Sequence, residues 1–233
     1  MKLVRYIANL GYGSRREVEH LIRSGRVTDD SGRPLGRGEL PSHEVIRLHG
    51  EPLDPPFPLT ILLHKPAGYT CSTEDPGATI YDLLPERFRR RNPGLHPAGR
   101  LDKESRGLVI LTDDGALSHR IIRPKSSCAK IYRVTVARPL EGHEGASFSS
   151  GGLMLHGETK PLLSAGFEKT GTHEALVTLH EGRYHQVRRM FAAVGNHVTD
   201  LVRISIGGIP LPADLAEGRW RVITRRERDA LGV

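Results

Sequence analysis

The sequence predicts an α+β protein, and two observations carry that expectation. Candidate strands outnumber candidate helices and do not alternate regularly with them, which disfavours a doubly wound parallel sheet. In addition, Pro52-Leu53-Asp54-Pro55-Pro56-Phe57-Pro58 places four prolines in seven residues. Proline removes amide donors and fixes φ, so 54–58 is expected to be a semi-rigid linker between a module at 1–53 and a domain at 59–233.

The first module opens with a candidate helix, Leu3 to Leu10, whose apolar face is Leu3, Ile7 and Leu10. Gly11-Tyr12-Gly13 interrupts it. Ser14 with Glu17 three residues on forms a capping-box sequence, so a second helix is expected over Arg15 to Ser24, with Val18, Leu21 and Ile22 inward. Gly25 stops it, and Arg26-Val27-Thr28 reads as a short strand.

Beyond the linker, Leu59 to His64 and Gly107 to Thr112 are short apolar runs bounded by turn sequences, Pro66-Ala67-Gly68 and Asp113-Asp114-Gly115, and read as buried strands. Ala116 to Ile122 is expected to be helical. Lys130 to Ala137, with Tyr132, Val134 and Val136 alternating, and Ala175 to Leu179 are further strands. Val187 to Val194 is a helix with a basic start, and the tail Arg225 to Asp229 reads as a solvated helix end without a functional role.

The formal charge of +7 suggests a polyanionic partner or a generic solvated surface. Distribution favours the first. Residues 1–58 carry only +1, leaving +6 for 59–233. Arg87, Arg89, Arg90, Arg91, Arg100 and Lys103 span a stretch whose only carboxylate is Asp102. Arg120, Arg123, Lys125, Lys130, Arg133 and Arg138 follow without an acid, as do Arg183, Arg188 and Arg189. Ordinary surfaces mix both signs, whereas a phosphate backbone matches runs of one sign. No run is long enough for a membrane span, and Met1 to Tyr6 is too polar for a secretory signal. Cys71 and Cys128 lie in no metal-ligand spacing and suit a reducing compartment, so the expected location is the cytoplasm. No obvious extra apolar surface stands out, and a monomer is expected.

Glycine loops for phosphates, HExxH and paired CxxC are all missing from the sequence. A mechanism free of metal and cofactor must rest on acid, base or nucleophilic side chains. The best candidate is His96-Pro97-Ala98-Gly99-Arg100-Leu101-Asp102-Lys103-Glu104-Ser105-Arg106-Gly107, a glycine-bounded loop entering a buried strand. Asp102 lies there between Arg100 and Lys103, surroundings that complement a carboxylate working as nucleophile or general base. From the local residues alone, a structural aspartate neutralised by arginine and capping a turn is the simpler reading.

At this point the residues resemble a family. Gly99-Arg100-Leu101-Asp102 with Gly107-Leu108-Val109-Ile110-Leu111-Thr112-Asp113-Asp114-Gly115 resembles the central motif of the ribosomal small-subunit pseudouridine synthase A family of ribosomal RNA pseudouridine synthases. His64-Lys65-Pro66-Ala67-Gly68 resembles its lysine-proline-glycine turn, Lys130-Ile131-Tyr132 its lysine-x-tyrosine strand, and Glu181 to Met190 its third motif. Gly13-Ser14-Arg15-Arg16-Glu17 through Ser24-Gly25-Arg26-Val27 resembles the RNA-binding module first seen in ribosomal small-subunit protein four. Together the matches span nearly the whole chain.

The resemblance implies a large mixed, mostly antiparallel sheet flanked by helices, preceded by a small α/β RNA-binding module. It implies isomerisation of uridine to pseudouridine in ribosomal RNA, free or in an assembly intermediate, and no cofactor, because no atoms enter or leave. Asp102 would be the catalytic carboxylate, acting at C1′ or as the base that starts glycal formation. Tyr132 would stack on the target base, Arg188 would pair with Asp102, Leu201 would floor the pocket, and Arg100 and Lys130 would complete substrate binding. Arg15, Arg16, Arg23, Arg26, Arg123 and Arg189 would hold RNA, whose target base must be flipped out. Ser105 departs from the family's usual threonine and Arg106 from a small residue, while the module's pattern fades over 29–44.

Other readings stay open. Tyr132 could be core, Arg188 and Arg189 a solvated helix face, and the module's arginines an ordinary polar face. Tyr184-His185-Gln186 and Met190 to Val198 look closest to small-subunit enzymes, with large-subunit relatives next. A non-catalytic assembly factor would be expected to lack one of Asp102, Tyr132 and Arg188. A glycoside hydrolase would want a second carboxylic acid, for which only Glu104 is near.

Overall fold

The computed structural model describes residues 2–72, 75–123 and 128–231, so Lys125 of the second basic stretch lies outside the described residues. The chain forms two compact units. One comprises Met1–Thr60, Tyr81–His96 and Thr112–Asp114, the other Ile61–Ile80, Pro97–Leu111 and Gly115–Val233.

In the first unit, helices α1 (Leu3–Asn9) and α2 (Arg15–Arg23) pack beside a three-stranded antiparallel sheet of β1 (Val27–Thr28), β2 (Arg47–Leu48) and β3 (Glu51–Pro52). The helix signals act as expected. Ser14 Oγ accepts from the Glu17 amide at 3.3 Å, and Glu17 Oε2 accepts from the Ser14 amide at 2.6 Å. Gly25, at φ 68°, lets the Gly25 and Arg26 amides turn back to the Ile22 and Leu21 carbonyls, closing the helix. Leu3, Ile7, Leu10, Val18, Ile22, Val27, Ile46 and Leu48 form the buried core of this unit.

Several arginines of the first basic stretch are neutralised within the same unit. Arg87 pairs with Asp54, Arg89 with Asp82 and Arg90 with Glu86. Arg91 and Asp113 form a pair 3.2 Å long with both side chains 1% exposed. Burial pushes the Asp113 carboxyl up, and the Leu59 amide and Arg91 oppose that rise.

The second unit is organised by a nine-stranded mixed sheet. Its strands are β4 (Thr60–Lys65), β5 (His96–Pro97), β6 (Arg106–Thr112), β7 (Lys130–Val136), β8 (Gly166–Lys169), β9 (Glu174–Leu179), β10 (Val198–Ile206), β11 (Ile209–Pro210) and β12 (Trp220–Val222). The order is β12-β4-β6-β10-β7-β9-β8, with β11 on β10 and β5 on β6. β6 and β10 run parallel, and β10 is antiparallel to β7. Helices α3 (Gly115–Ile122), α4 (Glu144–Ser149), α5 (Gln186–Ala193) and α6 (Arg225–Ala230) complete the unit. Leu62, Leu108, Ile110, Leu117, Ile121 and Ile206 are fully buried in one core cluster, while Phe148, Phe167 and Phe191 pack edge-on or tilted in another part.

The longest strand, β10, is absent from the sequence expectation for physical reasons. Asp200 and Arg203 interrupt its apolar run, and its pairing to β7 shifts register between Val198 and Asp200 and again between Arg203 and Ser205. Each shift breaks the alternation that makes a strand readable.

Candidate active site

Asp102 lies on the loop between β5 and β6, and its backbone is fixed from several directions. The Ser105 amide donates to the Asp102 carbonyl at 3.1 Å. The Lys103 carbonyl accepts from the Gly68 amide at 2.9 Å and from Lys65 Nζ at 3.0 Å. Lys65, fully buried, also donates to the Ser105 carbonyl at 2.6 Å and the Pro66 carbonyl at 3.0 Å. Burial pushes this ammonium down from 10.5 to about 8, and Cys71, Glu104 and Asp102 oppose the shift. An ammonium has three donors, and here all three end on carbonyls, two of them in the Asp102 loop.

A second buried cation braces the other side of the loop. Arg203, 2% exposed, donates through Nε to the Leu108 carbonyl at 2.8 Å and through Nη1 to the Arg100 carbonyl at 3.2 Å. Gly107 makes this approach possible: at φ 111° a Cβ there would stand 2.3 Å from the Arg203 carbonyl oxygen. The sequence expectation overlooks Lys65 and Arg203 as loop holders. A lysine closing the apolar run of β4 was the available signal, since a buried charge needs partners.

The Asp102 carboxylate, half-buried, is met by two residues of the third motif. Arg188 Nε lies 4.0 Å from Oδ2, and His185 Nε2 lies 3.4 Å from Oδ1. Arg188 is itself anchored by Nη1 donating to the Val198 carbonyl at 3.1 Å. The Asp102–Arg188 pairing implied by the resemblance is therefore present in the geometry, and His185 is an addition to it.

Tyr132 pairs with Arg203 across β7 and β10, and Val134 pairs with Leu201. With a period of two, Tyr132, Val134, Leu201 and Arg203 share one sheet face, the face from which Arg203 reaches the Asp102 loop. Tyr132 and Leu201, 8% and 3% exposed, are diagonal neighbours there. Lys130 points its Nζ at the Ile121 carbonyl, 3.0 Å away near the end of α3, and burial lowers its pKa.

The remaining expected residues fall apart in space or function. Arg100 and Arg123 are exposed, as are Arg15, Arg16, Arg23 and Arg26 in the first unit. Arg23 pairs with Glu19, while Arg15 lines a cleft of about 470 Å³ together with Lys2, Arg5 and Arg37. Arg189 is occupied internally: it donates to Glu158 at 2.8 Å, to the His156 carbonyl at 2.6 Å and to the Tyr184 carbonyl at 3.1 Å. Among the described residues, no group of three or more His, Cys, Asp and Glu could hold a metal ion.

The site thus sets one carboxylate on a loop held by buried cations, with an arginine across from it, and the comparisons with known proteins give the family of the chain. Residues 59–193 match the family model for RNA pseudouridylate synthase, and the chain belongs to that family. More particularly, it is 43% identical to ribosomal small subunit pseudouridine synthase A of Escherichia coli (strain K12) over 231 residues, 97% of this chain and 98% of that protein. It is 39% identical to the protein of the same name from Vibrio cholerae serotype O1, covering 97% of both. A crystal structure of a pseudouridylate synthase matches with a TM-score of 0.69 at 37% identity, covering 99% of both chains.

Proposed function

We propose that this protein isomerises uridine to pseudouridine in small-subunit ribosomal RNA, with Asp102 as the catalytic carboxylate. The observation that carries the reading is the Asp102 loop, pinned by Lys65, Gly68 and Arg203, with Arg188 4.0 Å from the carboxylate. Near end-to-end similarity to small-subunit synthases supports the choice of RNA.

In this reading the uridine is flipped out of its stack, and Tyr132 stacks on the base above the apolar floor made by Leu201. Asp102 attacks C1′ or removes the proton that starts glycal formation, and the N1–C1′ bond breaks. The base turns and C5 bonds to C1′ as the Asp102–C1′ bond breaks or, in the glycal route, as the proton taken from C2′ returns there; the C5 proton then leaves and N1 gains a proton. Atoms and electrons balance without a co-reactant. Arg188 holds Asp102 in place. Arg100 and Arg123 hold phosphates near the site, and Arg15, Arg16, Arg23 and Arg26 hold RNA on the first unit. Lys130 and Arg189 act from within the protein, since Lys130 already donates to the Ile121 carbonyl and Arg189 to Glu158 and the His156 carbonyl. The protein works in the cytoplasm as a monomer on ribosomal RNA or an assembly intermediate. No helix among the described residues is long and apolar enough to cross a membrane.

The test is pseudouridine mapping, by carbodiimide labelling and primer extension, on both ribosomal RNAs from cells with and without the gene. One site missing from small-subunit RNA is expected. A site missing only from large-subunit RNA would move the substrate, and an unchanged map would overturn the reading.

A further inference from the structure

We propose that Tyr184 and His185 form a stacking platform for an RNA nucleobase next to the target uridine. This rests on the functional reading above and adds a binding subsite to it.

Tyr184 is 76% exposed, the highest value among the exposed large hydrophobic side chains of the described residues. Its ring lies flat on the His185 ring, with centroids 3.9 Å apart and planes 15° from parallel. The other edge of that imidazole faces the chemistry, with Nε2 3.4 Å from Asp102 Oδ1. An open aromatic face thus sits one ring away from the reacting carboxylate.

The turn that presents it is held in an unusual shape. His185 has φ 48° and ψ 34°, a left-handed conformation few residues other than glycine adopt. Such a backbone persists only when its surroundings dictate it. Here they do. The Arg183 amide donates to Gln186 Oε1 at 2.9 Å, and Gln186 Nε2 donates to buried Glu181 at 3.1 Å. Arg189 holds the Tyr184 carbonyl, and Glu158 ties Arg189 to Arg183 through ion pairs of 2.8 and 3.2 Å. Five polar side chains are spent on keeping one exposed tyrosine and one histidine in place. For folding alone, burying the tyrosine would serve better.

A flat, solvent-open π-face fits an unpaired base, and it accepts any base because every base has a π-face. Flipping the target uridine unstacks its neighbours, so one of them is free to take the platform.

The experiment measures tritium release from C5-labelled uridine in a small-subunit RNA fragment, using the full chain. The RNA is made intact and with an abasic nucleotide at each flanking position in turn. Tyr184→Ala and Tyr184→Leu should raise KM about tenfold, the scale of one base–aromatic stack, with kcat within about twofold. Tyr184→Phe should rescue KM. At one flanking position the abasic RNA should raise wild-type KM by a similar factor and leave the Tyr184→Ala value unchanged. Wild-type KM in Tyr184→Ala, or an undiminished abasic penalty in that variant at every position, would overturn the platform alone. A wild-type chain that releases no tritium from any intact ribosomal RNA would overturn the functional reading instead.

Discussion

Arg188 meets Asp102 through Nε, 4.0 Å from Oδ2, while its Nη1 is committed to the Val198 carbonyl at 3.1 Å. The guanidinium therefore belongs as much to the start of β10 as to the carboxylate. It fixes the distance between α5, which carries it, and the strand that carries Leu201. A lysine could supply the charge but not both contacts, because an ammonium is a point donor where a guanidinium is a fork.

Arg188→Lys should lower kcat about tenfold, and Arg188→Ala about 10²-fold, each with KM changed less than about threefold. Steady-state kinetics on an RNA fragment decides. A raised KM at unchanged kcat would make Arg188 a phosphate contact rather than the residue that positions Asp102.

Asp102→Asn keeps the shape and removes the charge. Isomerisation should drop below about 10⁻⁴ of wild type, the scale seen when a catalytic nucleophile is lost. RNA affinity should hold or rise slightly, because a negative charge has been taken away from a polyanion's path. Tritium release and filter binding measure the two effects separately, and turnover retained in this variant would sink the mechanism.

Lys65 gives the pH dependence. Its proton is lost as pH rises through about 8, which removes a donor from under the loop, so kcat should fall on that alkaline limb. Stability should move the other way. Between about 8 and 10.5 the unfolded chain binds the proton and the folded chain does not, so unfolding free energy rises with pH, by at most about 1.4 kcal/mol per unit. In Lys65→Met the carbonyls lose their donor at every pH, so activity should be low throughout and this limb absent. Urea unfolding and kcat measured together from pH 7 to 10 test the opposed signs.

Gly107→Ala should destabilise the fold by roughly 3 kcal/mol. The new methyl would fall 2.3 Å from the Arg203 carbonyl and 2.7 Å from its amide, at a φ of 111° that alanine resists. β6 must then move off β10, and the Arg203 hold on the Arg100 carbonyl goes with it. A thermal melt matching wild type would show that the strands accommodate the methyl.

How much of this was legible depended on whether a residue's partners were local. Ser14–Glu17 and Gly25 carry their own signals, and α2 starts at Arg15 as expected. Asp102 stood out as a candidate through the motif that resembles the family's, Gly99 to Asp102 with Gly107 to Gly115. Lys65 and Arg203 did not, because, the adjacent Pro66 carbonyl apart, their partners are backbone carbonyls 38 to 103 residues away, which side-chain patterns cannot reveal. The third basic stretch shows the same limit from the other side. It contains no acid in sequence, yet Arg183 and Arg189 both find Glu158, 25 and 31 residues earlier.

Glu158→Ala tests that internal use of charge. If Arg183 and Arg189 serve the protein, losing their shared carboxylate should loosen the turn at His185 and raise KM roughly three- to tenfold. Combined with Tyr184→Ala the KM effects should not add, because both act through the same ring. If those arginines instead serve RNA directly, freeing them should tighten binding and steepen its salt dependence. RNA affinity of the single variant, measured at two salt concentrations, separates the cases by the sign of the change.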